Sequence, residues 1–298
     1  MHITGTTRLF FCIADPIDQV RAPEVFNSIF TRYGIDAAMV PLRVPAAQLE
    51  ATLHALLESP TVGGVSLSIP HKASATAIVD RPSAAARAAN AVNAVNAVRR
   101  NAAGELEGEL FDGLGFMRSL DRAGIAYAGR RVLVIGAGGA ASAVTTALAA
   151  SGVGEIALFD PDREKARQLA ALLRRDFGIA ASDAPSNDPA GFDVIVNASP
   201  LGLKSTDPLP VDVARIADNA ALCDILMKNQ PTPLLRAARS RGLVAEPGFD
   251  MLILQTPLYL DFFGYPELAE SVRADDSYLR ALLVPQALRA ETASDLPG

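Results

Sequence analysis

Short apolar runs alternate with longer amphipathic stretches along most of this 298-residue chain. The runs at 9–13, 37–41, 64–68, 132–135, 156–159, 194–197 and 222–225 read as strands. Between them, 23–33, 46–57 and 163–176 place apolar residues at helical spacing. This alternation predicts an α/β fold built on parallel sheet. Polar, glycine-containing 101–108 reads as a hairpin turn between 95–99 and the segment reaching Phe111. The chain has no long internal repeat, although 83–98 is rich in alanine and duplicates a VN pair at Asn93 and Asn96. Residues 291–298 read as a frayed tail.

The run 132–135 is followed at once by Gly136, Gly138 and Ala141, the G-x-G-x-x-G/A spacing of strand, tight turn and helix. Gly136 permits the turn, Gly138 admits a pyrophosphate close to the backbone, and Ala141 lets the helix pack near the strand. The helix start offers free N–H groups and the positive end of its dipole. A second run ends in Asp160, 24 residues beyond Gly136 and near the ~20 expected for a ribose-binding acid. A carboxylate there bonds a 2′-hydroxyl and repels a 2′-phosphate, so NAD is the expected cofactor, with NADP left open. Two plainer readings stand beside this one: a glycine-rich turn without a ligand, and Asp160 as cap of a helix starting near Asp162.

Because the motif starts past residue 130, a whole α/β segment precedes it. The expected organisation is a substrate domain at 1–112, a Rossmann-like doubly wound domain at 113–247, and C-terminal helices at 248–298 packing back on the first. A cleft between the two domains is the expected site.

Half the residues are apolar and a fifth charged, enough for two cores. No apolar run nears the ~20 residues that span a bilayer, and the N-terminus lacks the charged-then-apolar order of a secretion signal. Cys12 and Cys223 lie in strand-like runs and read as buried hydrophobes of a protein in a reducing cytoplasm. A net charge of -6 without a basic block argues against nucleic-acid or anionic-membrane partners. Small molecules are the expected ligands and a homodimer the default assembly. His2, His54 and the two cysteines have no metal-ligand spacing.

Lys72 and Asp112 stand out as a pair able to move a proton. Lys72 closes SLSIPHK, where Pro70 breaks the strand at the end that lines ligand crevices in such sheets. Asp112 sits in LFDG at the domain boundary. A lysine beside an aspartate in a partly desolvated cleft can trade a proton with an alcohol or carbonyl; a solvated lysine and a turn aspartate are the bland alternative. Asn96 and Gln255 are amides inside apolar stretches, each able to hold a substrate hydroxyl or to satisfy backbone. His71 reads as structural, and NASPLG at 197–202 as either a nicotinamide ledge or a connection.

Five local patterns then resemble, in order, the shikimate and quinate dehydrogenase family over about 11–258: DPIDQVRAPEVFN, GGVSLSIPHK, AVNAV with GELFDG, GAGGAA with NASPLG, and MLILQ. The resemblance implies Lys72 and Asp112 as the catalytic pair and Asn96, chosen over Asn93 by its distance to Asp112, with Gln255 as holders of substrate hydroxyls. It puts Val20, Ala22, Ser66 and Ser68 at substrate-binding positions. Gly136, Ala137, Gly138, Gly139, Ala140, Asp160, Asn197, Ala198, Ser199, Met227 and Gly248 fall at cofactor-binding ones. It implies reversible hydride transfer between a ring hydroxyl of a cyclic polyol or hydroxy acid and a nicotinamide.

Several positions depart from the family. Val20 and Ala22 replace the Ser-x-Ser hydroxyls that hold a substrate carboxylate, and Met227 replaces a tyrosine after the last sheet strand. Ser66 and Ser68 stand for asparagine and threonine, and Leu110 and Phe111 precede the aspartate. Each lost hydrogen bond to a charged group is worth roughly 1.5–3 kcal/mol, so shikimate itself is expected to bind weakly. Arg21 either restores carboxylate binding or points to solvent. On the cofactor side Asp160, Pro161 and Asp162 replace an Asn-Arg-Thr set, with Arg163 adjacent. The alternative is an NAD-binding sensor with a degenerate pocket.

Overall fold

The computed structural model describes residues 2–83, 94–204, 206–227 and 230–283. The alanine-rich 84–93, with Asn93, and the tail at 291–298 lie outside the described residues. The chain divides into two compact units, one running to Phe111 and taking in Leu252–Leu283, the other covering Asp112–Met251.

The first unit holds β1 (Arg8–Ala14), β2 (Ala37–Arg43), β3 (Val62–Leu67), β4 (Arg81–Pro82), β5 (Ala97–Arg100) and β6 (Leu106–Glu109), ordered β2-β1-β3-β5-β6-β4. β1 runs parallel to β2 and β3, but β3–β5 and β5–β6 are antiparallel, so the sheet is mixed where sequence predicted parallel. A hairpin needs only a short turn, and here Asn101 supplies it, its Oδ1 accepting from the backbone N–H groups of Ala103 and Glu105. The expected turn at 101–108 is correspondingly too wide. Gly108 lies in β6, paired with Val98, and a Cβ there would lie 2.9 Å from Val95, a close-packing position that reads as a turn from sequence alone.

Leu49, Leu53 and Leu57 form one stripe of the helix Leu49–Glu58 and bury it against Ile13, Val65 and Leu67. The expected helix at 46–57 thus opens as a 3₁₀ turn, Ala46–Gln48. Burying one such leucine is worth about 1.5–3 kcal/mol. Elsewhere in this unit, Phe10 stacks on Phe30 at 5.8 Å and meets Phe263 at 4.9 Å. The C-terminal helices therefore pack back on the first unit, as expected.

In the second unit β7 (Arg131–Ile135), β8 (Glu155–Phe159), β9 (Ala180–Asp183), β10 (Val194–Asn197), β11 (Ala221–Asp224) and β12 (Val244–Pro247) run parallel in the order β12-β11-β10-β7-β8-β9. This is the doubly wound arrangement, with its switch point between β7 and β10. Val132 and Val134 face one core and Leu133 and Ile135 the other, which is why the strand reads as an unbroken apolar run. The run at 222–225 is not the last strand, because β12 pairs on its outer side; Val244 is half-exposed on that edge and gives little apolar signal.

Among the described residues no helix is long and apolar enough to cross a membrane. Cys12 and Cys223 are free and buried. Burial pushes both thiols up, Cys12 to about 12, so neither is a thiolate at neutral pH.

Candidate active site

In the second unit the candidate nucleotide-binding residues begin at Gly136, whose φ of +105° suits glycine, and where a Cβ would stand 2.7 Å from the Ala198 carbonyl oxygen. Gly138 then caps the helix Gly139–Ala150 without any side-chain hydrogen bond. A Cβ on Gly138 or Gly139 would meet nothing within 4 Å, so there is open space beside the helix start. Ala140 is half-buried and Ala141 fully buried against the sheet. A helix start of this kind is suited to an anion.

Asp160 lies at the exit of β8 and is spoken for on both oxygens: Oδ2 accepts from Ala137 N–H at 2.8 Å and Oδ1 from Asp162 N–H at 2.9 Å. It ties the glycine turn to the neighbouring strand. The cap of the helix Arg163–Phe177 is Asp162, which takes Glu164 N–H, so the capping role belongs there. Arg163 donates to Asp183 at 2.7 Å and is thereby held at the end of β9.

Asn197, at the end of β10, is fully buried and its amide is used internally. Its Nδ2 donates to the Leu201 carbonyl at 3.0 Å and to Asp224 Oδ1 at 3.1 Å, while Oδ1 accepts from Ser199 N–H and, at 2.6 Å, from Ser199 Oγ–H. Asp224 also accepts from Thr232 Oγ1–H at 2.6 Å and Leu226 N–H at 3.2 Å. Burial pushes its carboxyl up to about 6 against these bonds. Sequence reasoning missed Asp224 and Thr232. The signal was present: an acid closing an apolar run, then Thr-Pro in the N-cap and first-turn positions of the helix Pro233–Ser240. Met227 is half-buried on the way to that helix. Gly248 serves packing, since a Cβ there would lie 2.4 Å from the backbone of Ile225.

A second group of candidate residues lies in the first unit. Asn96 is fully buried; its Oδ1 accepts from Phe111 N–H at 3.0 Å and its Nδ2 donates to Gln255 Oε1 at 3.4 Å. The two sequence-predicted amides are thus brought together across 159 positions of chain. Tyr259, which sequence reasoning missed, follows Gln255 by one helical turn, donates its hydroxyl to the Asn96 carbonyl at 3.0 Å and accepts from Ser66 Oγ–H at 3.5 Å. Its ring meets Phe111 edge-on at 4.9 Å. Only the i, i+4 spacing from Gln255 could have marked it.

Lys72 stands half-buried in the short helix His71–Ala75, and its charge draws the Cys12 thiol down against the larger effect of burial. Ser68 is half-buried, its N–H donating to Ile13 and its carbonyl accepting from His71 N–H. His71 is buried, and neither ring nitrogen is hydrogen-bonded to a described residue. Val20 and Ala22 are half-buried at the start of the helix Ala22–Arg32. Arg21 between them is partly exposed and donates to Glu24 at 2.6 Å. Asp112, buried, opens the helix Asp112–Arg122 of the second unit directly after Phe111.

A family model described as the shikimate dehydrogenase substrate binding domain matches residues 12–95. Shikimate dehydrogenase (NADP(+)) of Acidiphilium cryptum (strain JF-5) is 36% identical over 285 residues, 95% of this chain and 98% of that protein. Among solved structures, shikimate 5-dehydrogenase from Listeria monocytogenes in complex with shikimate and NAD superposes with a TM-score of 0.80 at 26% identity, covering 92% of this chain and 98% of the other. The ligand-free 5-ketofructose reductase of Gluconobacter sp. strain CHM43 gives 0.79 at 25% identity, covering 91% and 99%.

Proposed function

The chain belongs to the shikimate dehydrogenase family, an NAD(P)-dependent dehydrogenase acting on CH–OH groups, and from that premise we propose that its substrate is a cyclic polyol or keto-polyol with no carboxylate at one end. The carrying observation is the pairing of a retained polar end with an apolar one. Asn96 and Gln255 form a buried amide pair. Gln255 gives its carbonyl to Asn96, which leaves N–H donors on both amides for the oxygens of a ligand. Val20 and Ala22 supply no hydroxyl, Arg21 is paired with Glu24, and Phe111 packs its ring on Tyr259. A polyhydroxy ligand keeps its bonds at the amide end and meets little that reads a negative charge at the other. Of the three proteins named above, two are shikimate dehydrogenases and one is a reductase of 5-ketofructose, a compound without a carboxylate, and it is the third whose substrate matches this reading.

The cofactor seat fits a dinucleotide, because the uncapped helix start at Gly138 opens onto space that a Cβ would occupy. When bound, NAD(P) supplies hydride acceptance and donation at its nicotinamide. Gly136, Ala137, Gly138, Gly139 and Ala140 would hold the pyrophosphate, and the main chain of Ala198 and Ser199 the nicotinamide end. NAD is the preferred form in this reading: Asp160 puts negative charge beside the ribose, and Arg163 is drawn off by Asp183.

Lys72 and Asp112 are assigned the proton. In oxidation the substrate hydroxyl gives its proton to this pair as the carbon loses hydride; in reduction the Lys72 ammonium returns it to the carbonyl oxygen. Asn96 and Gln255 fix the oxygen's orientation, and positioning of this kind contributes several kcal/mol of the barrier reduction, of order 7–11 at best. Replacing Lys72 by Ala tests the assignment. Turnover is expected to fall by about 100-fold or more with the Kd for NAD changed less than about two-fold; equal losses in both would remove Lys72 from the chemistry.

A further inference from the structure

Ser66 stands at a substrate-binding position by sequence, yet the structure turns it inward. It sits on β3 opposite Cys12, almost fully buried, and its hydroxyl reaches the Tyr259 oxygen at 3.5 Å as well as the Cys12 sulfur. The phenol in turn places its own proton on the Asn96 carbonyl, which also accepts Leu67 N–H. Each group in the series from Ser66 through Tyr259 to Asn96 therefore spends a donor on the next. The Tyr259 ring is fixed from several sides, edge-on to Phe111 at 4.9 Å and to Phe26 at 5.9 Å, with Phe263 at 5.8 Å. A phenol held that way cannot swing aside without breaking its packing.

We propose that Tyr259 is a positioning and selectivity residue: it removes the Ser66 hydroxyl from the donors available to an acidic ligand and holds the backbone of Asn96, so that the ligand-facing donors are amides that read neutral hydroxyl and carbonyl oxygens. The inference rests on the functional reading above, and it names the class of ligand more narrowly, as uncharged polyols and keto-polyols. Amide donors bind a neutral oxygen nearly as well as hydroxyl donors do. The difference lies at a carboxylate, where each added donor forms a charge-assisted bond. Tyr259 acts through Ser66 and Asn96, and need not touch the ligand.

Tyr259→Phe keeps the ring and removes only the hydroxyl. Titration calorimetry on the full-length protein with NAD present would compare shikimate with 5-ketofructose as probes. The ratio of shikimate to 5-ketofructose affinity is expected to rise about ten-fold in Tyr259→Phe, the size of one hydrogen bond to a charged group. The gain is expected to vanish in Tyr259→Phe combined with Ser66→Ala, because Ser66 is the donor released. A ratio unmoved by Tyr259→Phe, or a gain that survives in the double variant, overturns the role while leaving the functional reading in place. Binding of neither probe by the wild type overturns both.

Discussion

Asp224 offers a prediction whose size follows from its surroundings. It is the acceptor on which Asn197, Thr232 and Leu226 converge, and burial lifts its carboxyl from 3.8 to about 6. A folded-state value above the unfolded one means that the native protein holds the proton more tightly. Asp224 then contributes stability that is fully present below pH 3.8 and lost as the pH rises to about 6. At about 1.36 kcal/mol per pH unit the loss is about 3 kcal/mol. Asp224→Asn cannot ionise, so it lacks this component. Urea unfolding at a series of pH values should therefore show the free energy of wild type minus variant falling by about 3 kcal/mol between the two limits. A constant offset, the cost of an amide N–H facing donors from Thr232 and Leu226, adds about 1–3 kcal/mol at every pH. Parallel curves for the two proteins would refute the reasoning, since they would mean that Asp224 titrates alike in the folded and unfolded chain.

Three further outcomes follow from the same geometry. Gly136→Ala forces a side chain into a positive-φ turn 2.7 Å from the Ala198 carbonyl and should cost about 1–3 kcal/mol, with loss of the thermal stabilisation that NAD gives the wild type. Asp183→Ala releases Arg163 beside Asp160 and should raise kcat/KM for NADP relative to NAD by several-fold; an unchanged ratio would separate Arg163 from cofactor choice. Val20→Ser with Ala22→Ser restores two hydroxyls where the chain has none, and should lower the Kd for shikimate by about ten-fold or more, with little effect on 5-ketofructose.

Much of this was legible in the sequence, because the second unit's sheet is buried on both faces and each of its central strands reads as an apolar run. The edge strands β9 and β12 were not, since AASD and VAEP alternate burial and exposure over only four residues. Gly108 misled for the opposite reason, a glycine in a strand being indistinguishable from one in a turn until Val95 is seen against it. Among the candidate site residues, Asn96 and Gln255 declared themselves as polar residues within apolar stretches, and the structure joins them. Asn197 is legible only as the start of the polar NASPLG loop at a strand end, and its amide bonds within that loop. Ser66 falls at a ligand-binding position only through the family resemblance. Its partner Tyr259 lies 193 residues away, a pairing that no local pattern encodes.

Whether this dehydrogenase reads a neutral polyol and not a carboxylate is tested most directly by initial-rate kinetics, followed by NADH absorbance. The panel holds shikimate, quinate, carboxylate-free cyclic polyols and, in the reducing direction, 5-ketofructose. A neutral substrate is predicted to give kcat/KM at least about ten-fold above that for shikimate, the equivalent of one lost charged hydrogen bond, with no turnover in Lys72→Ala. Shikimate turned over as fast as any neutral compound would contradict the neutral-polyol reading, and silence across the panel would favour the sensor.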